Sequence, residues 1–527
     1  MRYLLKDGKI IDGTGRLAVE GDVLIDGEKI EDIGNLDETG DFQVIDCSGM
    51  IVCPGFIDVN NHSDTHWTLF DFPGQESLLT QGITTIIGGN CGSSLAPLIT
   101  DEAIRSIQKY ADISKAQVHW ASFSEFLEFL DGLKLALNFG SLVGHSTLRR
   151  ALAGDEIRQL REDELKMMIG GLDHALDQGA LGLSTGLVYS HARVADKAEF
   201  RRLAEAVEKR GGIYATHIRQ EGGELVNSIK EAIEVARKTG VSLQISHLKA
   251  CGRKNWKLMD RALELIDEAR NEGLEVNFDV YPYVETGSVL YILLPAWVAE
   301  GGKEALIKRL KNKATKSKVI EEMRSSDFDY GKIIIANSKL GRVLQHRRVS
   351  DMAKNQERSA EEVVVDLIVA SDDRITTITE MMNPKNVEKA VAKEYAVVAT
   401  NGAGYADSFR RSGNLVHPRC FGAMPKYLRE YVFLKRTLTL EKAIRKITEI
   451  PAKKYGIIKQ TGTLEKGKRA DIAVFFQKEL KDKASIENPF SYSEGIRELF
   501  VGGEQAIEGG KLTGKKAGTV FRGIAAQ

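Results

Sequence analysis

No stretch of this 527-residue sequence approaches the ~18 uninterrupted apolar residues of a membrane-spanning helix. The N-terminal Met-Arg-Tyr-Leu-Leu meets Lys6 and Asp7 too early to build a signal-peptide apolar core. Neither a membrane nor an export route is expected. Excess charge of one sign is equally scarce, since 73 Lys+Arg against 74 Asp+Glu give a formal net charge of -1. Nothing there would neutralise a phosphate backbone, so nucleic acid is not expected as a partner. Cysteines number only five (Cys47, Cys53, Cys91, Cys251 and Cys420), an odd count that provides no disulfide framework and points to a reducing, cytoplasmic compartment. What is there is ordinary globular composition, 43% hydrophobic and 28% charged. The length suits about three folding units, or one large barrel with an appendage.

Eight strand-like segments recur with helical patterns between them: Met50–Val59, Ile83–Gly92, Leu137–His145, Ala180–Leu187, Gly212–Ile218, Ser242–Leu248, Glu275–Tyr283 and Glu394–Gly402. Between them Phe200–Lys209, Val226–Thr239 and Leu258–Glu272 carry apolar residues at three- and four-residue spacing and run into glycine. This alternation predicts an α/β fold, a (β/α)8 TIM-like barrel, over residues 49–460. Residues 1–48, with Asp-Gly pairs at 7–8, 12–13 and 26–27, read as short hairpins. Residues 461–527, with Ala470–Phe476 and Glu498–Val501, read alike, so the two ends are expected to form one small β domain. The stretch from about 288 to 392, holding the basic run Lys308–Lys318 and a strand-like Lys332–Ala336, is too long for a simple connection and reads as an inserted lid or subdomain.

In such a barrel the active site lies at the C-terminal ends of the strands. Those ends carry Asn60-Asn61-His62-Ser63-Asp64, Asn90-Cys91-Gly92, His145, His217, His247, Tyr281-Pro282-Tyr283 and Asn401-Gly402, with four of the chain's ten histidines among them. Taken singly, Cys91 reads as a small buried hydrophobe and each histidine as a core imidazole. Their joint occurrence favours a metal. A thiolate with two imidazoles suits Zn²⁺ and leaves a fourth tetrahedral position for water, so Cys91, His217 and His247 are the expected ligands.

Pro54-Gly55-Phe56-Ile57-Asp58-Val59 and the later Gly462-Thr463-Leu464-Glu465-Lys466-Gly467-Lys468-Arg469-Ala470-Asp471 resemble the amidohydrolase superfamily. Gly88–Gly92, Gly179–Leu187 with its Ser184-Thr185-Gly186-Leu187, Thr216–Arg219, Ser246–Lys249 and His417-Pro418-Arg419 resemble, more narrowly, the N-acyl-D-amino-acid deacylase (D-aminoacylase) family. The likeness runs in order through nearly the whole chain. It implies a zinc site of the same three residues, with Lys249, Tyr281, Ser288 and Arg419 holding a small-molecule substrate that bears a carboxylate. The implied reaction is hydrolysis of a linear amide, deacylation of an N-acyl-D-amino acid by a zinc-bound hydroxide, with a donor such as Tyr281 on the oxyanion.

Two positions depart from that pattern. Asn60 stands where the family has the first histidine of a His-x-His pair, which leaves His62 to centre a second, weaker metal site. Asn401 stands where the family has the catalytic Asp, and a carboxamide cannot act as a general base, a loss worth ~10²–10⁴ in rate. Three explanations compete: a replacement base among Asp64, Glu221, Asp407 and His417; deamidation at Asn401-Gly402; or a pocket that binds without turnover. A cyclic amidohydrolase of the dihydroorotase or hydantoinase type is the alternative activity, disfavoured by Ser184 where such enzymes place a carboxylated lysine. Oligomeric state is not legible.

Overall fold

The computed structural model describes residues 1–37, 40–113, 117–154, 156–326, 328–341 and 343–526. Eight parallel strands form the barrel: Phe56–Asp58, Ile83–Gly88, Asn138–Ser141 continued as Val143–Gly144, Gly182–Gly186, Ile213–His217, Ser242–Ile245, Val276–Val280 and Ala396–Val398. They pair in sequence order as two arcs, and a parallel bridge between Asn61 and Gly402 closes the ring. Amphipathic helices surround it. Lys197–Glu208 starts where the Asp196 side chain accepts from Glu199 N–H, and it buries Phe200, Leu203, Ala204 and Val207 along one stripe. Leu225–Thr239 ends at Gly240, whose φ of 77° suits a residue with no Cβ.

A nine-stranded sheet joins the two ends of the chain, with Ile51–Pro54 paired to Arg2–Ile10 on one side and to Ile472–Phe475 on the other. The predicted strand Met50–Val59 is therefore two strands in two sheets. The break falls at Gly55, where any Cβ would come within 2.2 Å of the Thr84 side chain. Asp26-Gly27 leads into a hairpin turn as expected, but Asp7-Gly8 lies inside the first strand at a bulge, with Asp7 at φ 56°. The third predicted strand likewise ends early. His145 opens the helix His145–Ala153, where its Nε2 lies 2.7 Å from Glu199 Oε1, in a fully buried cluster with Arg149.

The insertion between the seventh and eighth barrel strands has its own antiparallel sheet, Glu285–Val289, Ile375–Glu380 and Ile333–Ser338. Four helices, Gly302–Lys311, Lys313–Arg324, Val349–Asn355 and Ala360–Ala370, pack with it around a separate apolar core that includes Leu290, Val319, Ile333, Val364 and Ile368. The basic run Lys308–Lys318 belongs to the first two of these helices. All five cysteines are free thiols. Among the described residues, no helix is long and apolar enough to cross a membrane.

Candidate active site

A cavity of about 1410 Å³ opens at the C-terminal ends of the barrel strands and continues beneath the insertion, lined by His62, Cys91, His217, His247, Asn401 and Arg419 among others. The barrel ends Ile83–Gly88 and Ile213–His217 deliver Cys91 and His217, and the turn after Ser242–Ile245 delivers His247. Cys91 (φ 53°), His247 (φ 38°) and Asn401 (φ 46°) all adopt the left-handed backbone conformation, which costs a non-glycine residue about 1–3 kcal/mol. The chain bends sharply at each strand end and turns these side chains inward.

Cys91, His217 and His247 are buried and place one ligand atom each within 4.8 Å of the others. Cys91 Sγ lies 3.6 Å from His247 Nε2. Two ligands of one tetrahedral zinc, with Zn–S of about 2.3 Å and Zn–N of about 2.0–2.1 Å, stand about 3.5 Å apart. The donor types and the Cys91–His247 separation therefore fit this ion. His217 Nδ1 is buried with no partner of its own. Burial pushes the Cys91 thiol up to about 12 and both imidazoles well below their ordinary value, so the metal-free cluster holds one thiol proton and neutral rings.

Glu221 organises one side of this cluster. Its Oε1 lies 3.1 Å from His247 Nδ1, 2.5 Å from Lys249 Nζ and 3.7 Å from His217 Nε2. A carboxylate behind a ligating imidazole fixes the ring and its tautomer. Lys249 Nζ also lies 2.9 Å from His247 Nδ1 and donates to His247 O at 3.0 Å; with the Nδ1 proton turned to Glu221, that nitrogen is no acceptor, so Lys249 has two acceptors, Glu221 and His247 O. Burial opposes its charge, but the Glu221 carboxylate outweighs that and raises its pKa. Arg419 differs: its Nε and Nη1 are buried without partners, and its guanidinium lies 4.7 Å from the Tyr281 ring centroid. The Tyr281 hydroxyl beneath it is also unpartnered. Ser288, from the insertion's first strand, lines the cavity.

Both amide positions make a hydrogen bond, while Asn60 Oδ1 and His62 Nδ1 are buried without partners. Asn60 Nδ2 donates to Asp279 Oδ1 (3.0 Å), and His62 Nε2 lies 2.9 Å from Asn401 Oδ1, an oxygen that can only accept. His62 Nε2 is 4.0 Å from Cys91 Sγ, and burial lowers its pKa to about 3. Gly402 N–H, which would have to attack the Asn401 carboxamide in a deamidation, is held by Thr400 Oγ1 at 3.0 Å. Of the four replacement carboxylates or bases considered, Glu221 stands beside the cluster. Asp64 is buried against Gly89 N–H, Asp407 is exposed and paired with Arg410, and both His417 nitrogens meet backbone groups.

Two structural residues escaped the reading of the sequence. Asp279 accepts from Asn60, Gln244 and His247 N–H, and Asp58 accepts from Asn61 and from Thr400 through both N–H and hydroxyl. These buried carboxylates hold the bends that carry His247 and Asn401. The signal was a single acid inside each otherwise uncharged strand, Phe-Ile-Asp and Val-Asn-Phe-Asp-Val. His66, stacked on Tyr110 at 4.9 Å, also lines the cavity and was not anticipated.

The amidohydrolase family profile matches residues 43–316 and 401–507. The chain is 29% identical to a D-aminoacylase of Alcaligenes xylosoxydans xylosoxydans over 523 residues, covering 99% of this chain and 98% of that one. It is 30% identical to an N-acyl-D-aspartate deacylase of the same organism, covering 98% and 94%. Among solved structures, the N-acyl-D-glutamate deacylase of Bordetella bronchiseptica, complexed with zinc and a phosphonate that mimics the tetrahedral intermediate, superposes with a TM-score of 0.83. That match is 28% identical and covers 99% of each chain.

Proposed function

Because the chain belongs to the amidohydrolase family, we propose that it is a zinc-dependent hydrolase that removes the acyl group from N-acyl-D-amino acids, with Cys91, His217 and His247 as the metal ligands. The observation that carries this reading is the buried thiol and two imidazoles with ligand atoms within 4.8 Å of one another, Cys91 Sγ and His247 Nε2 at 3.6 Å, in a cavity that Arg419 also lines. Zinc held there supplies a lowered water pKa and polarisation of the scissile carbonyl.

The protein's own groups do the rest. Arg419, which lines the cavity, receives the substrate carboxylate through its guanidinium. Lys249 donates to Glu221 and to His247 O and holds that carboxylate against His247. The unpartnered Tyr281 hydroxyl supplies a donor under Arg419, and Ser288 contributes a hydroxyl from the insertion. Asn401 cannot accept a proton, and its carbonyl instead fixes His62. Glu221 takes over proton transfer through Oε2, whose nearest partner is Cys251 Sγ at 4.0 Å. Ser184 binds Gly92 N–H and the Gly89 carbonyl, so the fourth strand offers no lysine for the bridged metal pair of a cyclic amidohydrolase. Five free thiols support a reducing, cytoplasmic setting.

The test is turnover of paired D and L N-acyl amino acids by zinc-loaded protein and by Cys91→Ala. Cleavage of the D series that disappears in the variant supports the reading; equal rates in both proteins overturn it. Asn401 favours one second reading, a pocket that binds the same ligands without cleaving them. Tight binding of the D series with no turnover by the zinc-loaded protein would establish it.

A further inference from the structure

The cavity is far larger than the smallest substrate of this reaction needs. Sites for drug-sized ligands measure about 300–1,000 Å³, whereas this open cavity spans about 1410 Å³, and an N-acetyl amino acid is smaller than such ligands. Two anchors fix how a substrate lies in it. Arg419 follows the eighth strand and covers Tyr281 at the end of the seventh, so the carboxylate sits on that side of the mouth. The metal cluster takes the amide.

In a closed ring of eight, the fourth strand lies opposite the eighth. The loop after the fourth strand, Gly182–Gly186, brings Val188 and Val194 to the cavity wall, with Ile157 beside them. The insertion faces this wall with Tyr291, Ile292 and Pro295. Ile157, Val188, Val194, Tyr291 and Ile292 are only half-buried, leaving apolar surface open to the cavity. The charged groups on these faces include Arg193 and Arg219 on the barrel side and Glu300 and Glu322 on the insertion side; Arg219 is paired with Glu231, and Glu322 accepts from Trp297 Nε1.

We infer that this arm holds a long apolar acyl chain, so that the substrates are N-acyl-D-amino acids with acyl groups of about eight carbons or more rather than acetyl. The inference rests on the deacylase reading, because Arg419 and the metal cluster set the direction in which the acyl group leaves the scissile carbon. Each methylene transferred from water to an apolar wall contributes about 0.8 kcal/mol, close to a fourfold change in affinity.

The experiment measures Kd by calorimetry and kcat/KM in parallel, for N-acyl-D-leucines of two, four, eight and twelve acyl carbons on the zinc-loaded protein. Affinity should tighten two- to fourfold per methylene up to eight carbons, and Ile292→Asp and Val188→Asp should each flatten that slope. Affinity that is level or falls with chain length overturns the inference, whether or not N-acetyl-D-leucine is cleaved. Rising affinity without turnover of any member supports the arm and fails the hydrolytic reading instead, so the two fail separately.

Discussion

Two groups of polar side chains sit at the same barrel mouth, equally buried, and their chemistry diverges. On the second, fifth and sixth strands, Cys91, His217 and His247 turn lone pairs toward one another, and His217 Nδ1 has no partner. On the first and eighth strands, Asn60 gives its amide to Asp279, and His62 pairs with Asn401. The first group gathers the donor types a zinc ion takes. The second is tied through Asn60 Nδ2 and His62 Nε2 only, with Asn60 Oδ1 and His62 Nδ1 left unpartnered, and its carboxamides are weaker metal ligands than a thiolate or an imidazole. One mouth thus holds a candidate metal site and, beside it, a partly hydrogen-bonded pair of amides.

The comparison breaks most severely with Cys91→Ala. Zinc content by elemental mass spectrometry should fall from about one per chain to near zero, with hydrolysis down about 10³-fold or more. Converting the second group into a likeness of the first is the next largest change. The double variant Asn60→His, Asn401→Asp should take up close to two zinc ions per chain, with the second bound about 10²-fold more tightly than any second ion on the natural protein. Glu221→Gln keeps the shape behind His247 but removes the charge, and zinc affinity measured by chelator competition should drop about 10–100-fold.

Acidity sharpens the contrast further. Burial holds the free Cys91 thiol near 12, so below that value each unit of falling pH should cost about tenfold in zinc affinity, with roughly one proton released per zinc near neutral pH. Calorimetry in buffers of different ionisation enthalpy reads that proton directly. The smallest effect belongs to Asn401→Asp alone. With Glu221 moving the proton, its gain in kcat should stay below about tenfold, whereas a gain of ~10² or more would assign the proton to position 401 and leave Glu221 as a positioning residue.

Much of this was legible because the barrel repeats. Gly182–Gly186, Ile213–His217 and Val276–Val280 fall inside the predicted segments, and Cys91, His217 and His247 emerge as donors at strand ends. The failures share a cause. His145 has the right residue type at the right distance along the chain, yet its strand stops at Gly144, and a buried Glu199 from another helix claims the ring. Met50–Val59 is apolar up to Asp58, and the close packing of Thr84 on Gly55 marks where it divides between two sheets. The contacts of Lys249 with Glu221 and His247 O are likewise invisible in a linear pattern.

The sequence by itself determined the kinds of donor available, the βα rhythm that places them at strand ends, and the loss of an acid and an imidazole at positions 401 and 60. Those are properties of residue type and period, which survive without coordinates. Tertiary structure alone decided which donors meet. Cys91 and His247 are separated by 156 residues and come within 3.6 Å only because the barrel closes. Closure also pairs Lys249 with Glu221 and leaves Arg419 Nε and Nη1 buried without partners, since hydrogen bonds are satisfied by whatever the fold brings near, not by what lies near in the chain.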